Sequence, residues 1–175
     1  CTEITLNTSE SEIAVCNLGS VNLPAHVDGN GLNMPMLEET INTAMRMLDN
    51  VIDINYYSVP QARKSNLRHR PVGLGIMGFQ DALYLQNIAY SSDSAISFAD
   101  QSMEAVSYFT IKASCELAQE RGKYPSYEGS LWSQGVLPID SITKLQDYRQ
   151  QYLEVDTSSK LDWSSLRHSI EQHGM

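Results

Sequence analysis

Cys1-Thr2-Glu3 sets a thiol and a carboxylate two residues apart. In an extended chain, residues i and i+2 project to the same face, so the sulfur and the carboxylate would stand side by side. That pairing suits redox or radical chemistry in which the carboxylate moves protons. It suits a thiolate nucleophile poorly, because a nearby negative charge disfavours the thiolate. A terminal cysteine with no role fits the same spacing. Cys16 lies in a second strand-like run, Glu12-Ile-Ala-Val-Cys16-Asn-Leu18. If the two runs pair as a hairpin, Cys16 approaches Cys1; a buried structural cysteine is the alternative. Cys115 falls within a long helical pattern and reads as core.

Other motifs point away from chemistry. Gly73-Leu-Gly75-Ile-Met-Gly78 spells the G-x-G-x-x-G dinucleotide fingerprint. The strand before it would be very short and follows Arg70-Pro71, and no acidic residue ends a second strand about 20 residues later to meet a ribose. Tight glycine packing of strand on helix explains the spacing better. Three Cys and four His are scattered without paired zinc-ligand spacing. The basic cluster Arg63, Lys64, Arg68, His69 and Arg70 reads as a solvated or ion-paired turn, with a phosphate or partner contact as the alternative.

These residues need elements to position them. Short strands are expected over 3–6 and 12–18, joined by a polar turn at Asn7 to Ser11. The stretch Pro24 to Asn33, with Asp28-Gly29-Asn30-Gly31, reads as a loop. Leu37, Ile41, Met45, Leu48 and Ile52 recur every three or four positions and predict an amphipathic helix over 36–54. A buried strand over 72–77 and a short helix over 78–87 follow. A long helix is expected from Asp93 to Arg121, stopped by Gly122, with Ala99, Met103, Val106, Thr110, Ala113 and Leu117 as its core stripe. Residues 123–140 read as loop, and 161–173 as a final helix capped by Asp162 and ended by Gly174. Strands and helices mix, with helix dominating, so an α/β class is expected.

Composition bounds the function. The 175 residues are 42% hydrophobic and 19% charged, which is ordinary globular content. Twelve Lys and Arg against 21 Asp and Glu give a net charge of −9, which argues against gripping a nucleic-acid backbone. No apolar run approaches a membrane span. An odd number of widely spaced cysteines is no disulfide scaffold, and free thiols in a reducing cytoplasm are expected.

Taken in order, several stretches resemble the large, catalytic subunit of class I ribonucleotide reductase. They are Cys1-Thr-Glu-Ile4, Glu12-Ile-Ala-Val-Cys16-Asn-Leu18, Asp53-Ile-Asn-Tyr-Tyr57, Arg68-His-Arg-Pro-Val-Gly-Leu-Gly-Ile-Met-Gly78, Ala113-Ser-Cys-Glu-Leu-Ala118 and Tyr127-Glu-Gly-Ser130. The resemblance covers nearly the whole chain. It implies part of a ten-stranded α/β barrel, a helix-rich segment with few strands, with residues 1–175 as one partial catalytic domain whose N- and C-terminal parts are missing. It implies that Cys1 becomes the thiyl radical that removes the substrate's 3′ hydrogen, and that Glu3 is the general base on the 3′-hydroxyl. Cys16 matches one of two thiols that supply the reducing electrons and end as a disulfide. The implied partners are a ribonucleoside diphosphate, a small radical-generating subunit that contains metal, the remainder of the large subunit, and thioredoxin or glutaredoxin as reductant. ATP and deoxynucleotide effectors would act on the parent protein, and no cofactor is expected on this segment.

The chain opens on Cys1 without an initiator methionine and closes at His173-Gly174-Met175, just past a helix-like segment. The expectation is a piece of a longer protein, inactive alone. An intein boundary is one route to such a start, because splicing leaves a Cys, Ser or Thr after the intein. A non-catalytic remnant or interaction domain, and a small thiol oxidoreductase using Cys1 and Cys16, are the rival readings; the latter lacks a Cys-x-x-Cys motif.

Overall fold

A computed structural model describes residues 6–152 and 154–175. Strand β1 (Leu18–Asn22) is followed by a 3-10 turn (Leu23–His26) and a small hairpin, β2 (Val27–Asp28) with β3 (Gly31–Leu32). Helices α1 (Met34–Ile54) and α2 (Pro60–His69) lead to β4 (Gly73–Met77), then to α3 (Phe79–Leu85) and the long α4 (Asp93–Arg121). A second 3-10 turn (Pro138–Asp140), α5 (Ser141–Arg149) and α6 (Trp163–His173) complete the order. The architecture is α/β and helix-rich with few strands, as the sequence predicts.

β1 and β4 pair in parallel, with Leu18 opposite Gly73 and Asn22 opposite Met77. Val21 points to one face together with Leu74 and Ile76, and there α1 and α4 cover the sheet with Leu37, Ile41, Met45, Val106 and Phe109. Alternation sends Leu18, Ser20 and Asn22 to the opposite face, where all three are exposed. The sheet therefore has one packed face and one open face among the described residues.

The long helices form where the sequence places them. Asn33 caps α1 by accepting from the Met36 amide, 3.1 Å away. Ser92 caps α4 by accepting from Ala95 N at 3.2 Å, and Gly122 ends it at φ +90°. The α4 stripe is only partly right: Val106, Ala113 and Leu117 are buried, but Met103 is exposed. The helix packs on three neighbours, not one. Ala95 and Phe98 meet Leu83 of α3, Ala105 and Phe109 meet α1, and Ile111 and Cys115 meet α6.

Three expectations are corrected. The strand expected over 12–18 begins only at Leu18. Its partner cannot extend the ladder upstream, because Pro71 has no amide hydrogen and Arg70 is left-handed at φ 43°; the Gly73 amide makes the last bond, 2.9 Å to the Asn17 carbonyl. The loop from Pro24 to Asn33 contains the 3-10 turn and the hairpin. The basic cluster is not a turn but the body and left-handed C-cap of α2. The strand expected over 3–6 lies, apart from Leu6, outside the described residues.

The glycines of the rejected dinucleotide motif are packing residues. A Cβ on Gly78, whose φ is +78°, would stand 2.6 Å from Pro24 Cδ. Only glycine lets β4 turn into α3 against that proline.

Candidate active-site segment

The chemistry proposed from sequence rests on Cys1, Glu3 and Cys16. Cys1 and Glu3 lie outside the described residues, and so does their hairpin with Cys16. Cys16 itself is a free, exposed thiol one residue before the Asn17 carbonyl that opens the β1–β4 ladder. The contrast with Cys115 is clear: that thiol is buried in α4, and desolvation followed by the nearby Glu116 raises its pKa. Burial makes Cys115 inert, whereas Cys16 is open to exchange.

Among the described residues, 12–17 make no ladder of their own, yet both ends of the segment are fixed to the same stretch of chain, 61–73. At the downstream end, Asn17 is buried and its Nδ2 donates to the Pro71 carbonyl at 3.0 Å. At the upstream end, the Ile13 amide donates to the Gln61 carbonyl at 3.3 Å. Beside it Glu12 is only 7% exposed, and its carboxylate is enclosed by basic side chains. Arg68 Nη1 donates to Oε1 at 2.8 Å, and His69 Nε2 lies 3.0 Å from Oε2. Lys64 Nζ stands 3.8 Å from Oε1. Hydrogen bonds from Arg68 and then His69 hold the Glu12 carboxyl well below its ordinary 4.5, at about 2.

His69 extends the network to a third segment. Its Nδ1 lies 2.7 Å from Ser126 Oγ, and the Ser126 amide donates to the Arg68 carbonyl at 3.2 Å. Between these segments is a cleft of about 700 Å3 lined by Ala14, Ser65, His69, Pro71 and Ser126. The sequence reading named the basic cluster and the Glu12 run separately and missed that they meet. The available signal was a lone acid opening an apolar run, together with five basic or imidazole residues that needed a counterion.

Comparison with known proteins supplies the family. A family model described as the ribonucleotide reductase barrel domain matches residues 1–175. The ribonucleoside-diphosphate reductase subunit alpha of Chlamydia trachomatis is 56% identical over 176 residues, covering 100% of this chain and 17% of that protein. The ribonucleoside-diphosphate reductase large chain of Schizosaccharomyces pombe is 40% identical over 175 residues, again 100% of this chain and 20% of the relative. Large chain 2 of Saccharomyces cerevisiae is 38% identical, with 100% and 20% covered. The chain thus spans about a fifth of the length of these relatives. With a match along its whole length and an α/β, helix-rich architecture, this chain belongs to the ribonucleotide reductase barrel-domain family.

Proposed function

We propose that the protein carrying this chain is a ribonucleoside-diphosphate reductase that makes deoxyribonucleotides for DNA synthesis, and that residues 1–175 form part of its catalytic barrel. The observation that supports this most directly is the free, exposed Cys16 thiol at the head of β1, in a chain matched along its whole length by that family. In this reading Cys1, as a thiyl radical, takes the 3′ hydrogen of the ribose. Glu3 accepts the 3′-hydroxyl proton, and the 2′-hydroxyl leaves as water. Cys16 and a second thiol, carried elsewhere in the longer protein, give up two electrons and two protons and close to a disulfide. One ribonucleotide and two thiols thereby yield one deoxyribonucleotide, one disulfide and one water.

The radical on Cys1 is to come from a metal-containing small subunit, thioredoxin or glutaredoxin is to reopen the disulfide, and ATP and deoxynucleotides are to act as effectors. No helix among the described residues is long and apolar enough to cross a membrane, and we place the protein in the cytoplasm, where its thiols stay reduced. The 175 residues alone are expected to be inactive.

The test is a substitution set in the full-length protein assayed with its small subunit. Cys1→Ser is expected to abolish deoxynucleotide formation, and Glu3→Gln to reduce it by roughly 10²–10⁴-fold, the usual worth of a general base. Cys16→Ser should stop product formation while nucleotide binding persists. Full activity in Cys1→Ser would overturn the assignment.

A further inference from the structure

Among the described residues, no strand pairing includes the segment that carries the exposed Cys16 thiol. Of these residues, 14–16 contribute no ladder bond, and the Ala14 amide donates to Thr8 Oγ1 at 3.2 Å. Within the described chain, Cys16 is flanked by an anchor on either side. Asn17 is a neutral anchor tied to Pro71 and Gly73. Glu12 is a charged one, which gathers Lys64, Arg68 and His69 of α2, and through His69 the turn at Ser126.

The two anchors differ in how completely their partners are committed. Glu12 is nearly out of water, and both of its oxygens are taken by Arg68 and His69. Arg68 and Lys64 keep more than half of their side-chain surface in solvent. Neutralising Glu12 removes the common acceptor and leaves its partners free to turn outward. Asn17 stays bonded, so β1 persists, and the Ile13–Gln61 backbone bond remains, while the side-chain restraint that Glu12 adds before Cys16 is lost. A carboxylate needed only to keep β1 in its sheet would stand in or beside the ladder. This one stands four residues upstream of the thiol, on the far side of it from the strand.

We infer that Glu12 is a positioning residue for the Cys16 thiol, acting through Arg68 and His69 of α2 to hold residues 13–16 in place for thiol–disulfide exchange. The inference rests on the reading of Cys16 as a redox thiol. A correctly placed thiol meets its disulfide partner as a near-attack pair, and small misplacements cost exchange rate more than they cost substrate binding.

The experiment uses the full-length protein with its small subunit and compares Glu12→Gln, Glu12→Asp and Cys16→Ser. Three readouts are taken: kcat and KM for the ribonucleotide, the rate of Cys16 alkylation by iodoacetamide located by peptide mass, and the far-UV melting profile. For Glu12→Gln, kcat is expected to fall by at least tenfold with KM within twofold and an unchanged melt onset. Cys16 alkylation should speed up severalfold, and Glu12→Asp should recover part of kcat. An unchanged kcat and alkylation rate in Glu12→Gln, alongside an inactive Cys16→Ser, would overturn the positioning role alone. A rise in KM matching the fall in kcat would overturn it too, because that pattern is substrate binding or general unfolding. Full activity in Cys16→Ser would overturn the redox reading on which the inference rests.

Discussion

The seam between α1 and α4 and the mount around Cys16 are built from opposite materials. In the seam, Leu37, Ile41 and Met45 meet Ala105, Val106 and Phe109 with no charge between them. One of its ion pairs, Arg46 with Glu120, stands outside at about half exposure. In the mount, a buried carboxylate and a buried amide carry the restraint, and among the described residues none of 12–17 joins an apolar cluster. Apolar packing is non-directional and tolerates small shifts, whereas hydrogen bonds to one carboxylate fix direction as well as distance. The segment that carries the exposed Cys16 thiol is held by the directional kind.

The largest expected effect falls on the seam. Ile41 is fully buried, so Ile41→Ala should cost about 2–5 kcal/mol, read as a lower urea midpoint. A cost below about 1 kcal/mol would mean that the seam can collapse around the loss. Gly78→Ala comes next. It combines a positive φ with a Cβ 2.6 Å from Pro24 Cδ, and should cost roughly 1–3 kcal/mol while disturbing the β4–α3 turn.

The mount should respond less to global melts and more to acid. The folded Glu12 carboxyl titrates at about 2 against an ordinary 4.5, so the stability it contributes is fully present above 4.5 and is lost as pH falls towards 2. Urea midpoints of the native protein and Glu12→Gln should therefore differ at pH 5 and converge as pH falls from 4.5 towards 2. A difference undiminished at pH 2 would mean that neutral hydrogen bonding, not charge, holds the segment. The smallest effect is expected at the seam's rim, where Arg46→Ala should change stability by less than about 1 kcal/mol and less still in high salt.

The sequence was legible where burial is one-sided. Leu37, Ile41, Met45 and Ile52 mark α1 because one face alone is buried, and Asp162 and Gly174 mark the ends of α6 as caps. Helix α2 went unread because its buried face is Ala62, Ser65 and Asn66, which carry no apolar period. Helix α5 buries no residue at all, so nothing in its spacing announces it. The stripe assigned to α4 failed at Met103 because three separate partners share the helix. At the candidate site, Cys16 stood out by residue type. Its mount did not, because Glu12 reaches Arg68 and His69 across more than 50 positions of chain, and local pattern holds no information about such a meeting.

The parallel pairing of β1 with β4 also constrains the order in which the chain can fold. Residues 23–72 lie between the two strands, so β1 leaves the ribosome with its partner not yet made. At about 5–20 residues per second, the wait is roughly 3–10 s. During that interval α1 can form from local contacts and offer Ile41 and Met45 to Val21, while the edge of β1 stays unpaired. Synthesis of Gly73–Met77 ends the wait, and the strand that leads out of Cys16 can then pair.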